Sequence, residues 1–235
     1  SAWRMNKDIP LVVPEANPEA LENHNGIIAN PNCSTIQVMP ILKVLHEKYG
    51  LKRVIYSTYQ AVAGSGQKGI DDLEANLKGE SSKGYPHQIA FNLIPHIDAF
   101  LDNGYTKEEI KMIEETRKIL GIPNLKVTAT CVRVPVKMGH AVSINVELEN
   151  SFKLEDVIKA FEEKEGVIVR DDVKNNIYPM PIEAEDTDEV YVGRIRRDES
   201  IDNGLNLWVV ADNIRKGAAT NTIQIAETLI KKGVL

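Results

Sequence analysis

Apolar positions run together in short blocks at the two ends of this chain and alternate through its middle. Leu11-Val12-Val13 and the stretch 26–30 predict two short buried strands, closed by Pro14 and Pro31. After Pro31-Asn32-Cys33-Ser34-Thr35, the residues Ile36, Val38, Met39, Leu42, Val44 and Leu45 recur at helical spacing, and Tyr49-Gly50 suits the end of that helix. Residues 53–59 are β-branched and aromatic and predict a strand, and a glycine-rich turn over 64–69 leads into a helix through Leu73 and Leu77. Residues 79–95 carry glycine and proline without periodicity, which predicts a loop. A polar-faced helix follows over 107–120, stopped by Gly121. Strands are predicted at 126–134, 141–149, 189–196 and 205–210, with a helix at 154–163 between the second and third, and a last long helix at 213–232. A strand-rich middle flanked by αβ pieces predicts an α+β domain inserted into the remains of an α/β one.

Composition narrows the class without changing that outline. The 235 residues suffice for a large core, and 43% hydrophobic with 26% charged is a globular mix. A net charge of −6 argues against general nucleic-acid binding, and Arg194-Ile-Arg-Arg197 reads as a solvated strand end. No apolar run reaches the length of a membrane span. The two cysteines and five histidines lack zinc-site spacing, so no metal site is expected. The low cysteine count and absence of a recognisable leader favour a reducing cytoplasm.

Cys33 stands at the strand-to-helix junction, where helix N–H groups and the helix dipole favour a thiolate and the elbow lifts the side chain from the core. The competing reading is a small buried hydrophobe, which small polar neighbours make poor core material. Cys131, within an alternating strand, keeps that plainer reading. His140, in a turn between two strands, has a near-neutral pKa suited to proton transfer, although a lone histidine is more often a hydrogen-bonded surface residue.

Five ordered segments carry a more specific signal: Asn30-Pro-Asn-Cys-Ser-Thr35, Ser57-Thr-Tyr-Gln-Ala-Val-Ala-Gly64, Phe91-Asn-Leu-Ile-Pro-His-Ile-Asp98, Arg133-Val-Pro-Val-Lys-Met-Gly-His140 and Trp208-Val-Val-Ala-Asp-Asn-Ile-Arg-Lys-Gly-Ala-Ala219. Together they resemble the aspartate-semialdehyde dehydrogenases over essentially the whole chain. The resemblance implies a catalytic and dimerisation domain over 33–210, built on a mixed, largely antiparallel sheet as in glyceraldehyde-3-phosphate dehydrogenase. Residues 1–32 and 211–235 would be remnants of a Rossmann NADP-binding domain. It further implies reductive dephosphorylation of L-aspartyl 4-phosphate to the semialdehyde and phosphate, feeding lysine, threonine and methionine synthesis, in a homodimer or homotetramer.

By the same resemblance Cys33 is the nucleophile, Gln60 orients the substrate and His140 is the acid/base. Arg133 clamps the α-carboxylate, and Glu108 holds the α-amino group. Lys111 and Asn32 meet the phosphate, while Ala63, Gly64 and Asn213 approach the nicotinamide of NADP(H). Read from spacing alone, Glu108 and Lys111 would be an exposed helix salt bridge. The family's glycine-rich N-terminal βαβ segment has no counterpart here, and with it the pyrophosphate loop and a further phosphate-binding arginine are expected to be missing. NADP binding and the packing of the last helix are thereby put in question, its apolar face being left prone to association. Ala63 stands where serine is common, and Ala141-Val142 where polar residues are common. The rivals are an N-acetyl-glutamyl-phosphate reductase and a non-catalytic dimerisation fragment.

Overall fold

A computed structural model describes residues 2–234; residues 1 and 235, the outer ends of the two expected flanking segments, lie outside the described residues. Its centre is a six-stranded mixed sheet in the order β2-β1-β3-β6-β5-β4. The strands are β1 (Leu51–Gln60), β2 (Lys126–Arg133), β3 (His140–Leu148), β4 (Val167–Val169), β5 (Val190–Asp198) and β6 (Gly204–Ala211). β1 pairs parallel with β2 and β5 parallel with β4, while the three inner pairings are antiparallel. The expected mixed, largely antiparallel sheet is therefore present.

Side-chain alternation gives the sheet two unlike faces. Val54 and Tyr56 of β1, Val142, Ile144 and Val146 of β3, and Leu205, Leu207 and Val209 of β6 belong to the main core. The helices α1 (Cys33–Tyr49), α3 (Lys107–Leu120) and α4 (Leu154–Glu162) cover this face. On the opposite face Tyr59, Tyr191 and Trp208 gather around Ala141, Ala184 and Val210. Two further helices, α2 (Gln67–Leu77) and α5 (Pro181–Ala184), lie on the connections.

Two of the three helices on the core face start where the sequence supplies a side-chain cap. The Asn32 side chain accepts from Ser34 N at 3.0 Å to open α1. Thr106 and Glu109 form a reciprocal capping box at the start of α3, and Gly121 ends it in the left-handed conformation at φ 70°.

Three expectations need correction. The two N-terminal strands reduce to one parallel bridge, Leu11 with Ala29, because a 3-10 turn (Pro18–Asn23) separates them and no third strand pairs with them. The final helix begins with a π-helical turn, Arg215–Thr220, before α6 (Asn221–Lys232). Its apolar face is also not left bare: Ile225 and Leu229 pack with Val12 and Leu21 in a small separate core, although Ile223 and Ile230 stay 59% and 67% exposed.

The π turn is fastened by a fully buried lysine. Lys216 Nζ pairs with Glu15 and donates to Gln224 Oε1 at 2.8 Å. Burial pulls the lysine's pKa below its ordinary value against the attraction of Glu15. Lys216→Met strands the Glu15 carboxylate in a site where its second oxygen already lacks a partner among the described residues, at a cost of about 3–5 kcal/mol. Thermal unfolding should show that loss and its substantial recovery in Lys216→Met/Glu15→Gln; equal midpoints for the single and double variants would refute the pairing argument.

Candidate active site

Sheet register assembles the site before any loop contributes. Gln60 and Arg133 end the parallel strands β1 and β2 and are register partners. On the other side of β1, Tyr59 pairs with Ala141, which sets His140 at the same end of the sheet. β6 ends opposite His140, so the chain leaving it delivers Asn213 there too. The N-terminus of α1 meets this edge, and Gly217 of the π turn lies so close that an added Cβ would come 3.0 Å from Cys33 Cβ.

A cleft of about 900 Å³ opens here, and every candidate residue except His140 lines it. Glu108 is its hub. The buried carboxylate accepts from Asn32 Nδ2 at 2.9 Å, Gln60 Nε2 at 3.3 Å and Lys111 Nζ at 3.2 Å. The expected exposed helix pair is thus instead a buried acceptor with a half-buried lysine. Lys111 also donates to Asp98 Oδ2 at 2.7 Å. Burial works against the lysine's charge, but Asp98 and Glu108 together raise its pKa above the ordinary value.

Arg133 is 4% exposed; its Nη1 donates to Ala61 O at 2.6 Å while Nε finds no partner among the described residues. A buried guanidinium edge with an unmet donor, opening on a cleft, is suited to a carboxylate. The nucleophile candidate departs from the sequence expectation. Cys33 is the first residue of α1 and half-buried, yet burial and the Glu108 carboxylate push its thiol up to about 11, outweighing Arg133 and the helix-start N–H groups. Cys131, wholly buried, is pushed up further, to about 12, chiefly by burial.

His140 is not in a turn but is the first residue of β3, and it is fully buried. Ala61 N donates to its Nδ1 at 3.0 Å, which fixes the tautomer with hydrogen on Nε2 when the ring is neutral. Nε2 has no hydrogen-bond partner among the described residues. Burial, then the Arg133 charge, hold the pKa well below the ordinary value, so the ring is neutral at physiological pH. It reaches the cleft wall behind Gly64, where a Cβ would stand 3.1 Å from Nε2.

Three residues escaped the sequence reading. Arg4 lines the cleft, with Nε donating to Asn30 O at 2.8 Å and Nη1 3.4 Å from Glu115. Glu115, almost fully buried, accepts from Asn32 N at 2.7 Å. It lies two turns beyond Glu108 on the same face of α3, a spacing that could have found it. Asp98 closes the quoted segment 91–98, but only the structure brings it to Lys111. The cleft therefore has an arginine beyond Arg133 of the kind expected to be missing.

Ala63, Gly64 and Asn213 line one wall. Asn213 Oδ1 accepts from Gly139 N at 2.9 Å, whereas its buried Nδ2 has no partner among the described residues. An unmet amide donor beside side-chain-free backbone fits a flat carboxamide-bearing ring. No group of three or more metal-ligating side chains occurs among the described residues, and no helix of theirs is long and apolar enough to cross a membrane.

Residues 42–216 match the family described as semialdehyde dehydrogenase, dimerisation domain. The chain is 55% identical to the aspartate-semialdehyde dehydrogenase of Aquifex aeolicus (strain VF5), over 100% of this chain and 72% of that protein. Among solved structures it is similar to aspartate semialdehyde dehydrogenase II of Vibrio cholerae complexed with ASA, with TM-score 0.93, 47% identity, and 97% of this chain and 70% of that one covered. It is also similar to the enzyme of Candida albicans with NADP, with TM-score 0.79, 30% identity, and 100% and 70% coverage.

Proposed function

The chain belongs to the aspartate-semialdehyde dehydrogenase family, and from that membership we propose which of its residues carry the reaction. The observation that supports the assignment is one cleft holding a half-buried thiol between a buried cation with an unmet donor, Arg133, and a buried anion, Glu108. An amino acid activated at its side chain presents this pattern in reverse: a carboxylate, an ammonium and an electrophilic acyl carbon.

Arg133 takes the α-carboxylate and Glu108 the α-ammonium of L-aspartyl 4-phosphate, leaving the acyl carbon to Cys33. Cys33 sulfur bonds to that carbon, the carbon–oxygen bond to phosphate breaks, and inorganic phosphate leaves toward Lys111, Asn32 and Arg4. The product is a thioester, which divides one difficult step into two. NADPH, when bound against Ala63, Gly64 and Asn213, supplies the hydride that takes the acyl group to the aldehyde oxidation level. Gln60, joined to Glu108, orients the acyl group. The Cys33 proton leaves with the phosphate, and His140, kept neutral by burial with its hydrogen on Nε2, donates from that nitrogen to the acyl oxygen, while Cys33 regains a proton from solvent at the end of the cycle. Sulfur–carbon cleavage then frees the semialdehyde and returns Cys33.

The raised Cys33 pKa belongs to this scheme. Burial is its larger cause, and substrate ammonium beside Glu108 would offset the second, the carboxylate charge that opposes the thiolate. The same proposal includes a cytoplasmic homodimer joined across the aromatic sheet face, where Tyr59 and Trp208 ring centroids lie 5.3 Å apart and Ile182 is 77% exposed. It also treats 33–210 as the catalytic and dimerisation unit, with 1–32 and 211–235 belonging to the NADP-binding part.

The test is Glu108→Gln. Acylation of Cys33 by aspartyl phosphate should slow by about 10- to 100-fold, the worth of a charge-assisted hydrogen bond. An acyl phosphate without the amino group should be affected far less. Equal losses on both substrates would remove Glu108 from ammonium recognition and favour the N-acylated glutamyl phosphate reductase instead.

A further inference from the structure

Among the described residues, Lys111 is the only side chain of the cleft's acid–base set held by two carboxylates, and its shorter contact is not to the hub. Asp98 Oδ2 lies 2.7 Å from Nζ, against 3.2 Å for Glu108 Oε2. Glu108 already serves Asn32 and Gln60, whereas among the described residues Asp98 makes no other side-chain hydrogen bond: its second oxygen accepts the N–H of the next residue, Ala99, at 2.8 Å. The backbone at Asp98 is left-handed, φ 67°, a conformation that costs a non-glycine residue energy and that aspartate and asparagine tolerate best. A short bond from a strained position, on a side chain that also lines the cleft, marks a placement that the fold maintains.

We propose that Asp98 is the resident counter-ion of Lys111, which the phosphate group displaces on binding and which returns when phosphate leaves. The inference rests on the reading of Lys111 as a phosphate ligand. While the cleft holds no anion, Asp98 keeps the ammonium charged and at the mouth instead of allowing it to fold wholly onto Glu108, where it would block the site meant for the substrate's ammonium. When phosphate arrives, two anions compete for one lysine. Their repulsion weakens phosphate binding, which favours release of the product after thioester formation. Asp98 is thus a positioning residue, acting on phosphate through Lys111.

The experiment uses inorganic phosphate as the probe and its protection of Cys33 from iodoacetamide as the signal, so that no cofactor is needed. Asp98→Asn keeps both the left-handed backbone and an acceptor for Lys111 but removes the competing charge. It should lower the phosphate Kd by about fivefold, the scale of one unit charge acting over several ångströms in a partly solvated site. Asp98→Glu restores the charge and should return the Kd toward that of the parent. An unchanged or raised Kd in Asp98→Asn overturns the inference. Lys111→Met separates the two levels: if it leaves phosphate protection intact, the phosphate reading of Lys111 fails and the inference with it. If it abolishes protection while Asp98→Asn has no effect, only the counter-ion role fails.

Discussion

Cys33→Ala is expected to abolish the covalent aspartyl adduct that forms when this chain meets aspartyl phosphate generated in situ. Peptide mass spectrometry should find that adduct on the Cys33 peptide of the parent and on no other, because Cys131 is wholly buried in the sheet. Loss of a nucleophile leaves no covalent route, so any turnover coupled to it should fall by at least about 10³-fold. The experiment reads acylation alone and separates reactivity from cofactor affinity. The pH dependence has a definite sign. With the thiol pushed up to about 11, iodoacetamide alkylation of Cys33 without ligand should rise roughly tenfold per pH unit from 6 to 9 without a plateau. An ammonium ligand beside Glu108 should bring the midpoint down. A plateau near neutrality in the free protein would mean that Glu108 and burial do not govern the thiol. An adduct persisting in Cys33→Ala would remove it from the chemistry altogether.

That prediction could be framed from the sequence only in part. Local signals placed α1, the glycine stop of α3 and the alternation of β1, β3 and β6, since each depends on neighbours a few residues away. β4 escaped because three residues carry no period, and the π turn because Lys216 is held there by Glu15, some two hundred positions earlier in the chain. The site divided the same way. Cys33, Gln60 and Arg133 end or begin regular elements, so the segments that carry them were legible in the sequence. Their electrostatics were not, because the Cys33 pKa is raised by burial and then by Glu108 from another helix, which together outweigh the local helix start that the sequence displays. Arg4 and Asp98 occupy irregular backbone with no pattern of their own. Only the sheet order, which carries β2 beside β1 and α3 over both, shows what they face.

Gly64→Ala tests whether that assembled edge, more than any single group, sets the rate. The substitution adds one methyl group at a residue with no positive φ, so backbone strain is no objection. The methyl carbon would stand 2.9 Å from Arg133 Nη1 and 3.1 Å from both Cε1 and Nε2 of His140. Neither neighbour can yield cheaply. Arg133 Nη1 is bound to Ala61 O at 2.6 Å, and His140 is pinned through Nδ1 by Ala61 N within a fully buried setting. Something must shift by several tenths of an ångström, and the carboxylate clamp and the proton-transfer ring are the groups in the way. Acylation by aspartyl phosphate should drop by about 10²-fold, the effect of misplacing reacting groups by a fraction of their contact distance. Stability should fall by only about 1–3 kcal/mol, as for overpacking by one methyl. Gly66→Ala is the comparison: nothing lies within 4 Å of its added Cβ, and its only penalty is a φ of 74°. It should therefore lose stability while acylating far better than Gly64→Ala. If the two variants acylate equally, the close packing of Arg133 and His140 behind Gly64 does not control the chemistry, and the orientation of Cys33 at the start of α1 becomes the feature that does.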